Sequence, residues 1–101
     1  MATIVTYTES TYKLLGEVLA KALGYKPQRW LAEQTFVSQE AVHYWLTGQN
    51  RPRPDRLGQL AALLELDPLH LATLAEYHDP AALDKVLAAH TTWCAVLRKG
   101  D

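Results

Sequence analysis

From position 12 onward, apolar side chains recur at spacings of three and four residues, which is the period of an amphipathic helix. The pattern predicts six helices, and most of them have a recognisable start, either a side chain that can cap the first turn or a proline that fits it. These start signals are Ser10, Pro27, Ser38, Asp67–Pro68 and Asp79–Pro80. Strand-forming patterns are absent after residue 9, so the body of the protein is predicted to be all-α.

The first ten residues follow a different pattern. Residues 3–8 are almost all β-branched or aromatic, which favours extended chain. We expect residues 1–10 to form a loose arm, because chain termini are poorly ordered unless something holds them. The alternative is a short strand that pairs with a partner chain.

Composition is that of one ordinary globular domain, with 101 residues, 49% of them apolar and 21% charged. No apolar run reaches the roughly 18 residues that a membrane span needs, and the start does not have the pattern of a signal peptide. Cys94 is the only cysteine, so an internal disulfide is impossible. These features predict a protein of the cytoplasm, which is a reducing compartment.

Charge is unevenly distributed, although the net charge is only −1. Residues 24–56 carry five basic and three acidic side chains, whereas residues 57–97 carry one basic and five acidic side chains. A basic middle segment is a weak signal for nucleic-acid binding, because only the contacting face of a protein needs to be positive.

The most specific pattern begins at Gln28 and continues through the predicted third and fourth helices. A small residue, Ala32, stands where two helices would cross, and a turn over residues 36–38 separates those helices. The apolar positions of the pattern are Leu31, Val37, Val42, Trp45, Leu57, Leu60, Ala61, Leu64 and Leu66, and its loop positions are Gly48 and Pro52. Over about residues 14–75 the chain resembles the helix-turn-helix proteins of the Cro/repressor type, the XRE family.

This resemblance implies a five-helix lambda-repressor-like DNA-binding domain in a transcriptional regulator of bacterial or phage origin. We expect that domain at residues 11–78, between the extended N-terminal arm at residues 1–10 and an additional C-terminal dimerisation helix at residues 79–101. The expected function is sequence-specific DNA binding by a repressor, which binds a palindromic operator as a homodimer.

Two neighbouring residues depart from the family's pattern. Phe36 stands where the family has a glycine of positive φ, and such a φ is unfavourable for a bulky residue, so we expect the turn to be remodelled. Thr35 stands where the family has a larger aliphatic residue, and we expect Phe36 to cover the resulting gap.

The resemblance also assigns candidate DNA contacts, because the first residues of the second helix in a helix-turn-helix enter the major groove. Glutamine can pair with adenine and glutamate can accept from cytosine, so base reading is predicted for Gln39, Glu40, His43 and Tyr44. Gln28 matches the phosphate-binding glutamine of the family. The predicted phosphate-binding residues are Lys26, Gln28, Arg29, Ser38, Thr47, Gln49, Asn50, Arg51 and Arg53.

The last predicted helix has an apolar stripe and follows a domain that is already complete in the family. We expect this helix to pair with its copy in a homodimer, through a seam of Leu83, Leu87, His90, Trp93 and Leu97. The alternative is that the stripe completes the core of its own chain, packed back on the first helix.

No motif for catalysis or for a cofactor is present, since the chain lacks a phosphate loop, a GxSxG and an HExxH. We expect no metal site either, because the histidines are expected to have no i,i+4 partner and no cysteine nearby. The four histidines are His43, His70, His78 and His90. The predicted protein is therefore neither an enzyme nor dependent on a cofactor.

Two other functions remain open at this point. An antitoxin would use the same domain to bind DNA and would hold a toxin through its arm or tail, and a co-purifying small basic protein would identify it. A protein-interaction module would have kept the fold and lost DNA binding. Acidic residues over the recognition face would mark such a module, and Glu40 alone is too few.

Overall fold

The structure is a computed structural model that describes residues 11–99, and over those residues it contains six α-helices and no strand. The helices are α1 (Lys13–Leu23), α2 (Gln28–Thr35), α3 (Gln39–Leu46), α4 (Pro54–Leu64), α5 (Pro68–Leu74) and α6 (Pro80–Lys99). The expectation of an all-α body is confirmed for this part of the chain. The predicted arm at residues 1–10, including the cap Ser10, lies outside the described residues.

Local signals explain most of the helix ends. Ser38 begins α3 by accepting a hydrogen bond from the Ala41 N–H, and Asp67 begins α5 by accepting one from the Leu69 N–H. Helix α1 begins at Lys13 and α5 ends at Leu74, and the order of the elements is the predicted one.

All six helices contribute to one hydrophobic core. Each supplies at least one fully buried aliphatic side chain, and the fully buried set includes Leu15, Leu19, Leu31, Val42, Leu57, Leu60, Leu71 and Val86. Burying a side chain of this kind stabilises a fold by about 1.5–3 kcal/mol. The core therefore fixes α2 and α3 against α1 and α4, and this arrangement determines which face of α3 remains exposed.

Helix α6 packs on α4 and α5 of its own chain. The contact with α4 is close at Gly58, where an added Cβ would meet the Val86 carbonyl oxygen and lie 2.7 Å from the Ala89 Cβ. The lack of a side chain at Gly58 therefore allows the close approach of α4 and α6. The alternative, in which the stripe completes the core of its own chain, is confirmed for Val86 and Leu83, which pack in the core, but the helices that receive α6 are α4 and α5 rather than α1.

The loop after α3 is held against the start of α1. Gly48 has a φ of 80°, and an added Cβ there would lie 2.7 Å from the Tyr12 carbonyl oxygen. The Tyr12 N–H donates to the Gly48 carbonyl at 2.9 Å. Only glycine fits a backbone that combines positive φ with such a close approach, so this residue fixes the path of the chain out of α3.

None of the helices within residues 11–99 is both long enough and apolar enough to cross a membrane.

Candidate nucleic-acid interface

Helices α2 and α3 are joined by a tight turn at Phe36. This residue keeps the left-handed conformation, with φ 59° and ψ 41°, and the Val37 N–H donates to the Ala32 carbonyl at 3.1 Å. The expectation of a remodelled turn is therefore wrong: the phenylalanine adopts the conformation that glycine would take. Ala32 is buried at the base of the turn, in agreement with its expected place where two helices cross.

The Thr35 hydroxyl has its hydrogen-bond acceptor within α2 and does not depend on Phe36. The side chain is fully buried, and its hydroxyl donates to the Leu31 carbonyl one turn earlier at 2.8 Å. Phe36 does not cover a gap beside it, because the phenyl ring is 74% exposed. The expected compensation between the two residues is thus absent, and the Phe36 ring points into solvent.

Helix α3 has a buried face and an exposed polar face. Val42 and Trp45 belong to the core and hold the helix in place. Three predicted base-reading residues, Gln39, Glu40 and His43, are exposed. The fourth, Tyr44, is half-buried, and its hydroxyl lies 3.5 Å from the Glu40 carboxylate. The two side chains therefore lie side by side along one turn of α3.

A cleft of about 690 Å³, here called the α3–α4 cleft, lies between the start of α3, the loop after it and the start of α4. Its polar and charged lining residues are Tyr12, Ser38, Glu40, Tyr44, Asn50, Arg51, Arg53, Asp55 and Arg56. Three arginines thus face two carboxylates, which agrees with the predicted excess of positive charge in the middle of the chain. An open, positively charged cleft beside an exposed helix face can accept a phosphate backbone.

Arg51 holds two parts of the chain together. Its guanidinium donates to the Ala75 carbonyl at 2.8 Å and to the Glu76 carbonyl at 3.3 Å, and it lies 4.0 Å from the centre of the Tyr77 ring. These contacts satisfy carbonyls at the end of α5. Arg51 therefore has a structural role beside the phosphate contact predicted for it.

Tyr77 also connects the end of α5 to the loop between α3 and α4. Its hydroxyl donates to the Pro52 carbonyl at 2.7 Å. Burial raises the pKa of the Tyr77 hydroxyl, while the positive charge of Arg51 acts in the opposite direction. The tyrosine thus keeps its proton, and the loop between α3 and α4 is fastened to the end of α5.

Arg56 and Gln59 were missed by the sequence-based assignment of site residues. Arg56 lines the α3–α4 cleft and donates to the Gln59 side-chain oxygen at 3.0 Å. Gln59 is fully buried and donates in turn to the Gln34 carbonyl of α2 at 2.8 Å. The spacing of Arg53 and Arg56 by three residues, across the first turn of α4, is the signal that could have found Arg56.

The other predicted phosphate-binding residues are exposed but lie outside the lining of the cleft. Lys26 is placed over the Trp30 ring, with 4.1 Å from the Nζ atom to the ring centre. Thr47 donates to the His43 carbonyl at 2.9 Å and accepts from the Gln49 amide at 3.1 Å. The remaining two, Gln28 and Arg29, are exposed in the first turn of α2.

The predicted dimer seam on α6 is only partly available to a partner. Leu83 is half-buried against the core, whereas Leu87 and Leu97 are 39% and 37% exposed. His90 and Trp93 are half-buried.

The expectation that no histidine has a cysteine nearby is wrong. Cys94 follows His90 by four residues, and its Sγ lies 3.4 Å from the His90 Nε2. Within residues 11–99 of a single chain, no group of three or more candidate metal ligands comes together.

Comparison of the chain with protein-family models, with curated proteins and with solved structures found no match.

Proposed function

We propose that the chain is a helix-turn-helix regulator that binds a specific DNA sequence, acting as a repressor on a palindromic operator. In this proposal residues 11–78 form a lambda-repressor-like domain and α3 is the recognition helix. The observation that carries the proposal is the pair α2 and α3, two eight-residue helices joined by a three-residue turn with Phe36 in the left-handed conformation, and with a polar exposed face on the second helix. The resemblance to the Cro/repressor type supports the same assignment.

The exposed face of α3 has the chemistry that base reading requires. Gln39 stands in the first turn, where its amide can pair with an adenine edge, and His43 follows one turn later on the same side. Val42 and Trp45 are buried, so α3 can enter a groove without losing its contacts to the core. Discrimination by one good bidentate pair is worth about 1–3 kcal/mol.

The α3–α4 cleft supplies the phosphate contacts in this proposal. Arg53 is exposed at the start of α4, and Arg56 lies one turn further on. Arg51 is already engaged with the end of α5, so its replacement would disturb the fold as well as the charge. Arg53 is therefore the better residue for a test of backbone binding.

Dimerisation through α6 would give the protein two copies of α3, one for each half of a palindrome. The exposed leucines of α6, Leu87 and Leu97, support this part of the proposal. The expected location is the cytoplasm of a bacterium or of a phage-infected cell.

The experiment that tests this function is selection of bound duplexes from a random pool, with the full chain and with Gln39→Ala. We expect an enriched motif for the wild-type chain, and a loss of preference at one base pair of each half-site for the variant, because only that contact is removed. Glu17→Ala, at an exposed position of α1, is the matched control and should give the wild-type motif. A motif unchanged by Gln39→Ala would contradict the assignment of Gln39.

A further inference from the structure

His90 and Cys94 form a pair with the geometry of two ligands of one metal ion. They lie one turn apart on α6, with 3.4 Å between the His90 Nε2 and the Cys94 Sγ. In a tetrahedral zinc site, with Zn–S about 2.3 Å and Zn–N about 2.0–2.1 Å, a bound sulfur and nitrogen are about 3.5 Å apart. Both side chains are only half-buried, so an ion can reach them from solvent.

Two ligands do not make a stable zinc site, and the remaining described residues of the chain offer no third ligand nearby. A zinc site at this pair therefore needs ligands from outside residues 11–99 of its own chain. A second copy would supply another histidine and cysteine, which gives the Cys₂His₂ set found in structural zinc sites.

The stripe of α6 that contains His90 and Cys94 can pair with the same stripe of a second copy of the chain. Leu87, His90, Cys94 and Leu97 follow one another at spacings of three, four and three residues, which is the spacing of a coiled-coil seam. These four residues are placed symmetrically about position 92. Leu87 and Leu97 form the two ends of the stripe, and the two metal ligands lie between them. Both leucines are more than a third exposed, whereas Val86 faces α4 and the His90 backbone lies against Gly58, so the stripe runs along the edge of the contact with α4.

This symmetry determines how two copies would meet. If two α6 helices run antiparallel about a twofold axis at residue 92, Leu87 of one copy lies opposite Leu97 of the other. The same operation brings His90 of one copy opposite Cys94 of the other. Four ligands then surround the axis, with a leucine pair closing each side of the site.

We propose that His90 and Cys94 are half of an intersubunit site for a zinc-type divalent cation, which a second copy of the chain completes through antiparallel pairing of α6. The soft thiolate and the imidazole favour zinc over the hard cations magnesium and calcium. Binding releases the proton of each thiol, because the metal ligand is the thiolate. The proposal rests on the homodimer of the proposed function and names the contact that forms it.

The test is sedimentation of the full chain together with titration of Zn²⁺, after removal of metal by a chelator. We expect one Zn²⁺ bound per two chains, and dimers that are converted to monomers when the chelator is present. Co²⁺ in place of Zn²⁺ should give the thiolate charge-transfer absorption of a tetrahedral site. Two cations per dimer, or dimers that persist in chelator with no metal bound, would overturn the proposal.

Two variants make the test specific to the pair. Cys94→Ala should lose stoichiometric binding of Zn²⁺ and the Co²⁺ absorption while it keeps the helical fold, because the side chain is small and half-buried. The matched control is His78→Ala, which removes an exposed histidine before α6 and should retain both signals. Unaltered Zn²⁺ binding by Cys94→Ala would overturn the proposal.

A measurement of DNA binding by a single copy of the chain distinguishes failure of the metal site from failure of the proposed function. A half-site duplex needs only one copy of α3, so it should be bound in chelator as well as in Zn²⁺. Half-site binding without any Zn²⁺-dependent dimer would contradict the metal site alone. Failure to bind both half-site and full-site duplexes, with the metal-bridged dimer intact, would contradict the proposed function alone.

Discussion

Phe36 adopts a left-handed conformation that is costly for a bulky residue, and its exposed ring gains little burial in return. We expect Phe36→Gly to stabilise the fold by about 1 kcal/mol, because glycine relieves the strain, although it also adds freedom to the unfolded chain. Urea unfolding measures the change. Phe36→Ala is the control, since it removes the ring and keeps the strain. A glycine variant that is less stable than the alanine variant would contradict this account.

Tyr77 gives the stability of the fold a dependence on alkaline pH. Its pKa is raised by burial, so the folded state favours the neutral hydroxyl that donates to Pro52. The resulting stabilisation is complete below the unfolded pKa of about 10 and is lost as the pH rises through the higher pKa of the folded state. Tyr77→Phe should therefore cost about 0.5–1.5 kcal/mol at neutral pH and less at about pH 11.

Urea unfolding of Tyr77→Phe and of the wild-type chain, at neutral and alkaline pH, measures this difference. Tyr25→Phe is the matched control, because the Tyr25 ring is 96% exposed and should show no such change. A stability difference between Tyr77→Phe and wild type that stays constant from neutral to alkaline pH would rule out the role assigned to the hydroxyl.

Single residues were predicted well where their role depends on near neighbours in the chain. Ser38 as a cap and Ala32 as a buried small residue follow from local pattern alone. The structural contacts of Arg51 could not be predicted in this way, because its acceptors lie 24 and 25 residues further along the chain. The conformation of Phe36 was predicted wrongly, because the packing of α2 against α3 outweighed the local propensity of the residue that joins them.

At the scale of helices, the contact between α4 and α6 depends on the absence of a side chain at Gly58. Gly58→Ala would place a methyl group against Val86 and Ala89 and force the two helices apart. We expect a net loss of about 1–2 kcal/mol, because the overpacking outweighs the gain of about 1 kcal/mol in helix propensity. Ala88→Leu, at an exposed position of α6, is the control and should have little effect.

Thermal unfolding of the two variants measures the contact. A Gly58→Ala variant as stable as wild type would contradict this prediction, because it would mean that α6 can move away from α4 without any loss of stability.

The order of the helices was predictable from periodicity and start signals, but the packing partner of α6 was not. An apolar stripe shows that a helix needs a partner and does not show which surface provides it.

Although the net charge of the whole molecule is only −1, the fold brings three arginines together in the α3–α4 cleft. If the cleft binds the DNA backbone, Arg53→Ala should weaken binding to specific and random duplexes alike. It should also reduce the slope of log affinity against log salt by about 1, because one phosphate contact and its released counterion are lost. Lys85→Ala, on the exposed side of α6, should leave the slope unchanged.

The most direct measurement of the central claim is the affinity of the full chain for its selected duplex, compared with a scrambled duplex of the same length and composition at physiological salt. Specific readers of DNA bind their site at least about 1,000-fold more tightly than random sequence, and this is the ratio that we expect. Equal affinity for the two duplexes, or no binding to either duplex at low salt, would contradict the claim that α3 reads DNA.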